Sequence, residues 1–297
     1  YYNRDSSSYH YGELWANGQK TAYDLAARIE GVNWVPRGMW GAASASWNWW
    51  GGVWEDTARP KLRQCSDSIK ALGVDNVREW FVWYFTTDTV PIPYDFQWVD
   101  TIFKIHGENN IKLIPQLGQT PKWATTMPPP VPDTGFWVWP PRNLCEPVLV
   151  GGVVNDSNYW GKFVYEAVKR YGHGGTFWQA HSELDTSLTP TQWEVWNEPN
   201  SKNWWRLPDS TIYRWFRLGD STSAAVSAFR CTLYLRLCQV AKEAAQQADP
   251  RAKILVGSLA RVQDTAFGCY LSGKDFLDTL LSRGGTGLDG GFSVHPY

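Results

Sequence analysis

The sequence has few cysteines and no long apolar run. Five Cys is an odd count, so at least one thiol has no partner within the chain. We expect Cys231 and Cys238, seven residues apart in a helical stretch, to be buried thiols, and only Cys145 and Cys269 lie in loops where a disulfide could form. No apolar run approaches the ~18 residues of a membrane-spanning helix, so we expect no membrane partner.

Charge and motif content exclude further classes of function. The net charge is −1, charged residues make up 19% of the chain, and no basic run of five or more occurs, so nothing points to nucleic acid as a partner. The histidines show no H-x-x-x-H spacing and no pairing with Cys, which predicts no metal site. There is no P-loop, no G-x-S-x-G elbow and no G-x-G-x-x-G after the first predicted strand, so we expect no cofactor.

Tryptophan, by contrast, is abundant, with 20 residues in 297. Indole faces stack on the apolar C–H face of a pyranose, while nearby polar groups bind its hydroxyls. We therefore expect many of these side chains on walls and loops that contact carbohydrate. An aromatic-rich core is the alternative explanation for part of them.

Short apolar segments alternate with amphipathic ones along most of the chain, the pattern of βα units around a parallel sheet. The predicted strands are Gly31–Val35, Asn76–Trp83, Ile111–Leu117, Gln192–Asn197, Lys253–Gly257 and Gly291–His295. The predicted helices are Glu55–Leu72, Asp95–Glu108, Ser157–Tyr171, Ala228–Ala248 and Asp275–Ser282.

Six such units in series, with no reversal point, predict an α/β fold of the (β/α)8 TIM-barrel class. The sequence covers about six units and ends before strands seven and eight. We divide it into an N-terminal extension, residues 1–30, and an incomplete barrel, residues 31–297. A further chain or a missing segment is then expected to complete the barrel.

Long loops mostly follow the predicted strands. The segments Trp40–Trp54, Trp123–Val154 and Pro199–Ala228 all do so, whereas the insertion Gly174–Pro190 precedes a strand. Loops after barrel strands gather at the C-terminal face, where active sites form. We expect an aromatic-walled cleft there, and the candidate side chains are Trp47, Trp49, Trp50, Trp137, Trp139, Trp204 and Trp205.

The run TQWEVWNEPN carries the clearest chemical signal. Strand alternation predicts Glu194 and Trp196 on one face and Asn197 on the other, and Pro199 ends the strand. Glu198 is left at the C-terminal tip, where a carboxyl group among aromatic side chains is suited to general acid catalysis. The alternative is a solvated loop carboxylate.

With these residues the chain resembles the clan A glycoside hydrolases, and more narrowly family 39-like enzymes. The similar motifs are GTFW at Gly175, PTQWEVWNEPN at Pro190, GQTPKW at Gly118 and SVHPY at Ser293. They occur in the family's order between Gly31 and Tyr297. The resemblance implies a TIM barrel whose fourth strand ends in Asn-Glu.

The resemblance also implies roles for individual residues. Glu198 would protonate the leaving oxygen and then act as base on water, and Asn197 would bind the sugar 2-hydroxyl. Arg78 matches the second-strand arginine that lies near the nucleophile, although a salt bridge at the barrel end is its alternative.

Three further residues are implied to line the site. His295 and Tyr297 match a pair on the sixth strand, and Trp123 would form the floor of the cleft. A satisfied core histidine and plain packing are the alternatives for His295 and Trp123.

We therefore expect a retaining O-glycoside hydrolase that acts on a poly- or oligosaccharide and is secreted to the cell surface or the extracellular space. Its nucleophile, a second Glu, is expected beyond residue 297 on the seventh strand. The alternative is a catalytically inactive barrel of the same type that binds carbohydrate or serves as a structural subunit of an assembly.

Overall fold

The computed structural model describes residues 9–10, 13–16, 19–20, 41–43, 58–87, 94–132, 134–201, 203–206, 223–260 and 271–295. The predicted strand Gly31–Val35 lies outside these residues. Within them, no helix is long and apolar enough to cross a membrane.

Three short strands near the N-terminus form an antiparallel sheet, which the sequence analysis did not predict. They are β1 (Tyr9–His10), β2 (Glu13–Ala16) and β3 (Gln19–Lys20), in the order β1-β2-β3.

The main sheet is parallel. Its strands are β4 (Gly41–Ala43), β5 (Asn76–Val82), β6 (Lys112–Gly118), β9 (Gln192–Asn197), β10 (Lys253–Leu259) and β11 (Phe292–Val294), and a hairpin of β7 (Leu149–Val150) and β8 (Val153–Val154) interrupts the series. The strand order is β11-β10-β9-β6-β5-β4, and every pair is parallel. The alternating α/β pattern is confirmed. Among the described strands β4 and β11 form two open edges, so closure into a barrel stays a prediction.

Helices follow the strands as predicted, with shifts of a few residues at their ends, except for one short helix in the insertion before β9, which the sequence analysis did not predict. They are α1 (Arg59–Ala71), α2 (Gln97–Glu108), α3 (Tyr159–Tyr171), α4 (Thr176–Ala180), α5 (Ser223–Ala248) and α6 (Gly273–Ser282). Local signals explain several ends. Asn158 caps α3 by accepting a hydrogen bond from the Gly161 amide, and Ser272 caps α6 in the same way.

One strand lies where a loop was predicted. Gly41–Ala43 pairs with β5 through Ala42 opposite Val77, inside the segment 40–54 that the sequence analysis assigned to a loop. Its small residues have little strand propensity, so pairing with a neighbouring strand, and not local preference, defines β4.

Aromatic packing fills the layer between the sheet and the helices. Phe81 of β5 lies 5.6 Å, centroid to centroid, from both Phe163 and Tyr171 of α3. Several tryptophans are fully buried, so an aromatic core accounts for part of the Trp content: Trp83, Trp160, Trp193 and Trp205. This packing fixes which face of each strand meets the helices and leaves the other face for polar groups.

Candidate active site

Arg78 of β5 connects two strands on the polar face of the sheet. Its Nε donates to Glu194 Oε2 at 2.9 Å, and its Nη2 donates to Glu194 Oε1 at 2.7 Å. The same Nη2 donates to Asn197 Oδ1 at 2.9 Å. Because Glu194 is only 1% exposed and Arg78 15%, this is a largely desolvated, two-point ion pair of fixed geometry.

Glu194 has further donors on the next strand. Its Oε1 accepts hydrogen bonds from Ser258 N at 3.1 Å and Ser258 Oγ at 3.0 Å. Ser258 Oγ also lies 2.9 Å from Ser293 Oγ on β11. The network therefore spans four strands and holds the buried carboxylate in place.

Glu198 follows β9 directly and is held at two points. Its backbone N donates to Ser258 O at 2.9 Å, and its side-chain Oε1 lies 2.7 Å from His295 Nδ1, a hydrogen bond. His295 is itself held by a bond from its backbone N to Leu259 O at 2.9 Å. With 13% and 20% of their side chains exposed, Glu198 and His295 lie at the border between protein and solvent.

The backbone at the end of β9 departs from regular strand geometry. Trp196 has φ 70° and Glu198 has φ 44°, both in the left-handed region that non-glycine residues rarely adopt. The alternation predicted for this strand is therefore wrong at its end. Asn197 shares the Arg78 side of the sheet with Glu194, and Trp196 instead packs against Trp205 at 5.1 Å.

Aromatic side chains line a narrow recess beside this network. Its walls are Gln116, Gln119, Trp137, Val138, Trp196, Asn197 and Trp204. Trp204 also packs on Trp80, with ring centroids 5.2 Å apart, and the Arg78 guanidinium lies 5.8 Å from the Trp80 ring.

The aromatic cleft predicted from the sequence is thus present in part. Trp137 and Trp204 line the recess, whereas Trp139 and Trp205 are buried in the core. The remaining candidates lie outside the described residues: Trp47, Trp49 and Trp50.

One described residue implied by the family resemblance does not join the group. Trp123 packs against Trp83 at 6.0 Å and Tyr159 at 5.1 Å, in the aromatic layer beside α3 and away from the recess. The packing alternative describes this position. Tyr297 lies outside the described residues.

The sequence analysis missed the second layer of the site. It placed Glu194 on one face of its strand without a role, and it assigned no role to Ser258 or Ser293. A usable signal was present for Glu194, because a carboxylate inside a buried strand requires a cationic partner, and Arg78 was already a candidate. No feature of the local sequence identifies Ser258 or Ser293 as residues of the site.

The arrangement is suited to proton transfer at one carboxyl group. Glu198 is partly exposed and oriented by His295, while the fully buried Glu194 is neutralised by Arg78. In the part of the chain that the structure describes, no group of three or more His, Cys, Asp or Glu side chains could hold a metal ion.

No protein-family model matches the chain, and no curated protein sequence matches it. Among solved structures it is similar to a monomeric beta-xylosidase from Caulobacter crescentus CB15, with 18% identity over 80% of this chain and 38% of that one and a TM-score of 0.47. A family 39 glycoside hydrolase from Bacteroides cellulosilyticus WH2 is 16% identical over 86% of this chain and 38% of that one, with a TM-score of 0.47.

The exo-beta-1,4-mannosidase Op5Man5 from Opitutaceae bacterium strain TAV5 is 16% identical over 76% of this chain and 33% of that one, with a TM-score of 0.40. The chain spans less than two fifths of the length of these three proteins.

Proposed function

We propose that the chain is the acid/base-bearing part of a retaining O-glycoside hydrolase built on a (β/α)8 barrel. The observation that carries the proposal is the placement of Glu198. Its carboxyl group follows the C-terminal end of a parallel strand, bonds His295 at 2.7 Å and neighbours the Arg78–Asn197 pair. Parallel α/β sheets build their active sites at this end of the strands.

Glu198 acts twice in the proposed reaction. In its protonated form it donates the proton to the glycosidic oxygen while the carboxylate of the nucleophile, a second Glu, bonds to the anomeric carbon and the alcohol leaves. The resulting carboxylate then takes a proton from the water that attacks the glycosyl-enzyme intermediate. The hydrogen bond to His295 holds the carboxyl group in one orientation through both steps.

Asn197 supplies substrate contact. Its Oδ1 accepts from Arg78, so its Nδ2 is the remaining donor for a sugar hydroxyl. We assign this donor to the 2-hydroxyl, where a hydrogen bond strengthens as the oxocarbenium-like transition state forms. Trp137 and Trp204 are the described side chains that we expect to stack on a sugar ring.

Glu194 is not the nucleophile in this proposal. Two Arg78 bonds and two Ser258 bonds occupy its oxygens, and its side chain is 1% exposed. We place the nucleophile on a second Glu, beyond residue 297, at about 5–5.5 Å from Glu198, the spacing that retention requires.

The test compares Glu198→Gln with the unmodified protein, both including the segment beyond residue 297 that carries the proposed nucleophile, on two classes of glycoside. The variant should lose about 10²–10⁴-fold in kcat/KM on substrates with poor leaving groups, and far less on activated aryl glycosides, because kcat/KM reports the first step and only a poor leaving group needs the proton there. Glu183→Gln is the matched control, since Glu183 is an exposed carboxylate in the insertion before β9.

Two results would contradict the proposal. One is an equal loss on both classes of substrate, which would mean that Glu198 is not the acid. The other is an unmodified protein that includes the segment beyond residue 297 and still hydrolyses no glycoside of either class.

A further inference from the structure

Tyr234 on α5 inserts its hydroxyl group between two strands of the sheet. The hydroxyl donates to Val195 O at 2.8 Å and accepts from Gly257 N at 2.7 Å. The side chain is fully buried, and burial raises the pKa of Tyr234 well above its ordinary value of 10, so the hydroxyl keeps its proton. The hydroxyl group therefore acts both as a donor and as an acceptor of hydrogen bonds within the sheet.

The bridge occurs where the β9–β10 ladder is interrupted. Val256 pairs with Val195, Ser258 pairs with Asn197, and Trp196 with φ 70° stands opposite the gap. Gly257 is required in this gap, because a Cβ there would collide with the carbonyl oxygens of β9. The irregular backbone deprives the Gly257 amide and the Val195 carbonyl of a partner on the neighbouring strand. The Tyr234 hydroxyl bonds both groups instead.

The residue that follows this bridge contacts both glutamates of the site, Glu194 through its carboxylate and Glu198 through its backbone amide. Ser258 donates its N–H and its hydroxyl to Glu194, and its carbonyl oxygen accepts from the Glu198 amide. A movement of the segment 257–258 along β9 therefore moves Glu198 and the Arg78–Glu194 pair together.

We propose that Tyr234 is a positioning residue for Glu198. From the helix side of the sheet, the Tyr234 hydroxyl sets the spacing of β9 and β10 at the site. The proposal rests on the proposed glycosidase function. Without the hydroxyl, the Gly257 amide gains a partner only by moving toward β9, and Ser258 moves with it.

The decisive variant is Tyr234→Phe, which removes one oxygen and keeps the ring. Its matched control is Tyr171→Phe, because Tyr171 is also fully buried and also uses its hydroxyl, on Asp100 Oδ1 at 2.6 Å, but between α2 and α3. Both variants lose a buried hydrogen bond, and only one loses it at the strand pair that carries Glu198.

In the full chain we expect Tyr234→Phe to lower kcat about 10²-fold, the loss that a misplacement of about 1 Å produces at a catalytic group. The loss should be larger on poor leaving groups than on activated aryl glycosides, with KM unchanged because Tyr234 does not reach the recess. Hydrogen exchange of the Glu198 and Ser258 amides should accelerate. Tyr171→Phe should change neither kcat nor these two amides.

Equal kcat in the two variants, measured on folded protein, overturns the proposal, and so does unaltered exchange at both amides in Tyr234→Phe. Accelerated exchange in Tyr234→Phe, when the unmodified protein with the segment beyond residue 297 hydrolyses no glycoside, would refute the glycosidase function and leave the positioning by Tyr234 standing. The two failures are therefore distinguishable.

Discussion

Arg78 connects its own strand, β5, with β9, which lies two places along the sheet and leads into Glu198. Its planar guanidinium meets Glu194 with two nitrogens and also reaches Asn197. A lysine ammonium carries the same charge on a flexible stem but lacks this fixed fork, so it cannot hold two oxygens of one carboxylate and a neighbouring amide in the same arrangement.

We therefore expect Arg78→Lys to destabilise the fold by about 1–3 kcal/mol, since Glu194 stays buried with a lost donor. We also expect kcat/KM to fall about 10²-fold, because Asn197 loses the contact that orients its amide. Urea unfolding and glycoside kinetics give the two values. Arg170→Lys is the control, because Arg170 makes a similar two-point contact with Asp100 between α2 and α3.

The control variant should lose stability and keep its kcat/KM. If both variants kept full activity, Arg78 would be a structural salt bridge, which is the alternative that the sequence left open.

At the scale of elements, strand β9 shows where sequence patterns succeed and where they end. Its bounds follow from the apolar run before Pro199 and agree with the structure. The faces on which its last residues lie differ from the prediction, because period-two alternation assumes extended backbone and Trp196 has φ 70°. Nothing in the local sequence marks a tryptophan for the left-handed region. The contacts that stabilise this conformation come from β10 and α5.

Gly257 is the part of that irregularity that can be tested by stability alone. We expect Gly257→Ala to cost about 1–3 kcal/mol, the range for overpacking, since a methyl group there collides with the backbone oxygens of Trp196 and Val195. Gly287→Ala, where a Cβ meets nothing within 4 Å, should change the free energy of unfolding by at most about 0.5 kcal/mol. Equal effects in urea unfolding would show that β9 relaxes freely at this point.

At the scale of the molecule, the alternation of strands and helices could be predicted because each element satisfies a local pattern. Strands β1 to β4 could not. The short strand β4 and the strands β1 to β3 form by pairing with other segments, and no periodicity announces them. Glu198 could be proposed from the end of its strand, and Arg78, Asn197 and His295 from the family resemblance. Tyr234 and Ser258 could be identified only from the packed sheet and helix.

Beneath the sheet lies a second buried pair, which gives the whole fold a pH dependence. His106 of α2 and Glu79 of β5 are 0% and 3% exposed, and their Nε2 and Oε2 atoms lie 3.9 Å apart, beyond hydrogen-bond distance. Glu79 lies on the helix side of β5, opposite Arg78, as strand alternation predicts. Burial lowers the pKa of His106 from its ordinary value of 6.5 to about 4, so the folded chain keeps this imidazole neutral.

The sign of the effect follows from this direction. Between pH 6.5 and about 4 the unfolded chain binds a proton at His106 and the folded chain does not, so the free energy of unfolding falls as the pH falls. The loss is on the order of 3 kcal/mol and is complete below the folded pKa. His106→Gln removes this titration and leaves the other groups in place. Urea unfolding at several pH values from 7 to 4 should therefore give a steeper decline for the unmodified chain than for the variant. Parallel curves would instead mean that the folded chain binds the proton too, with Glu79 as the ionised partner that stabilises the imidazolium within the core.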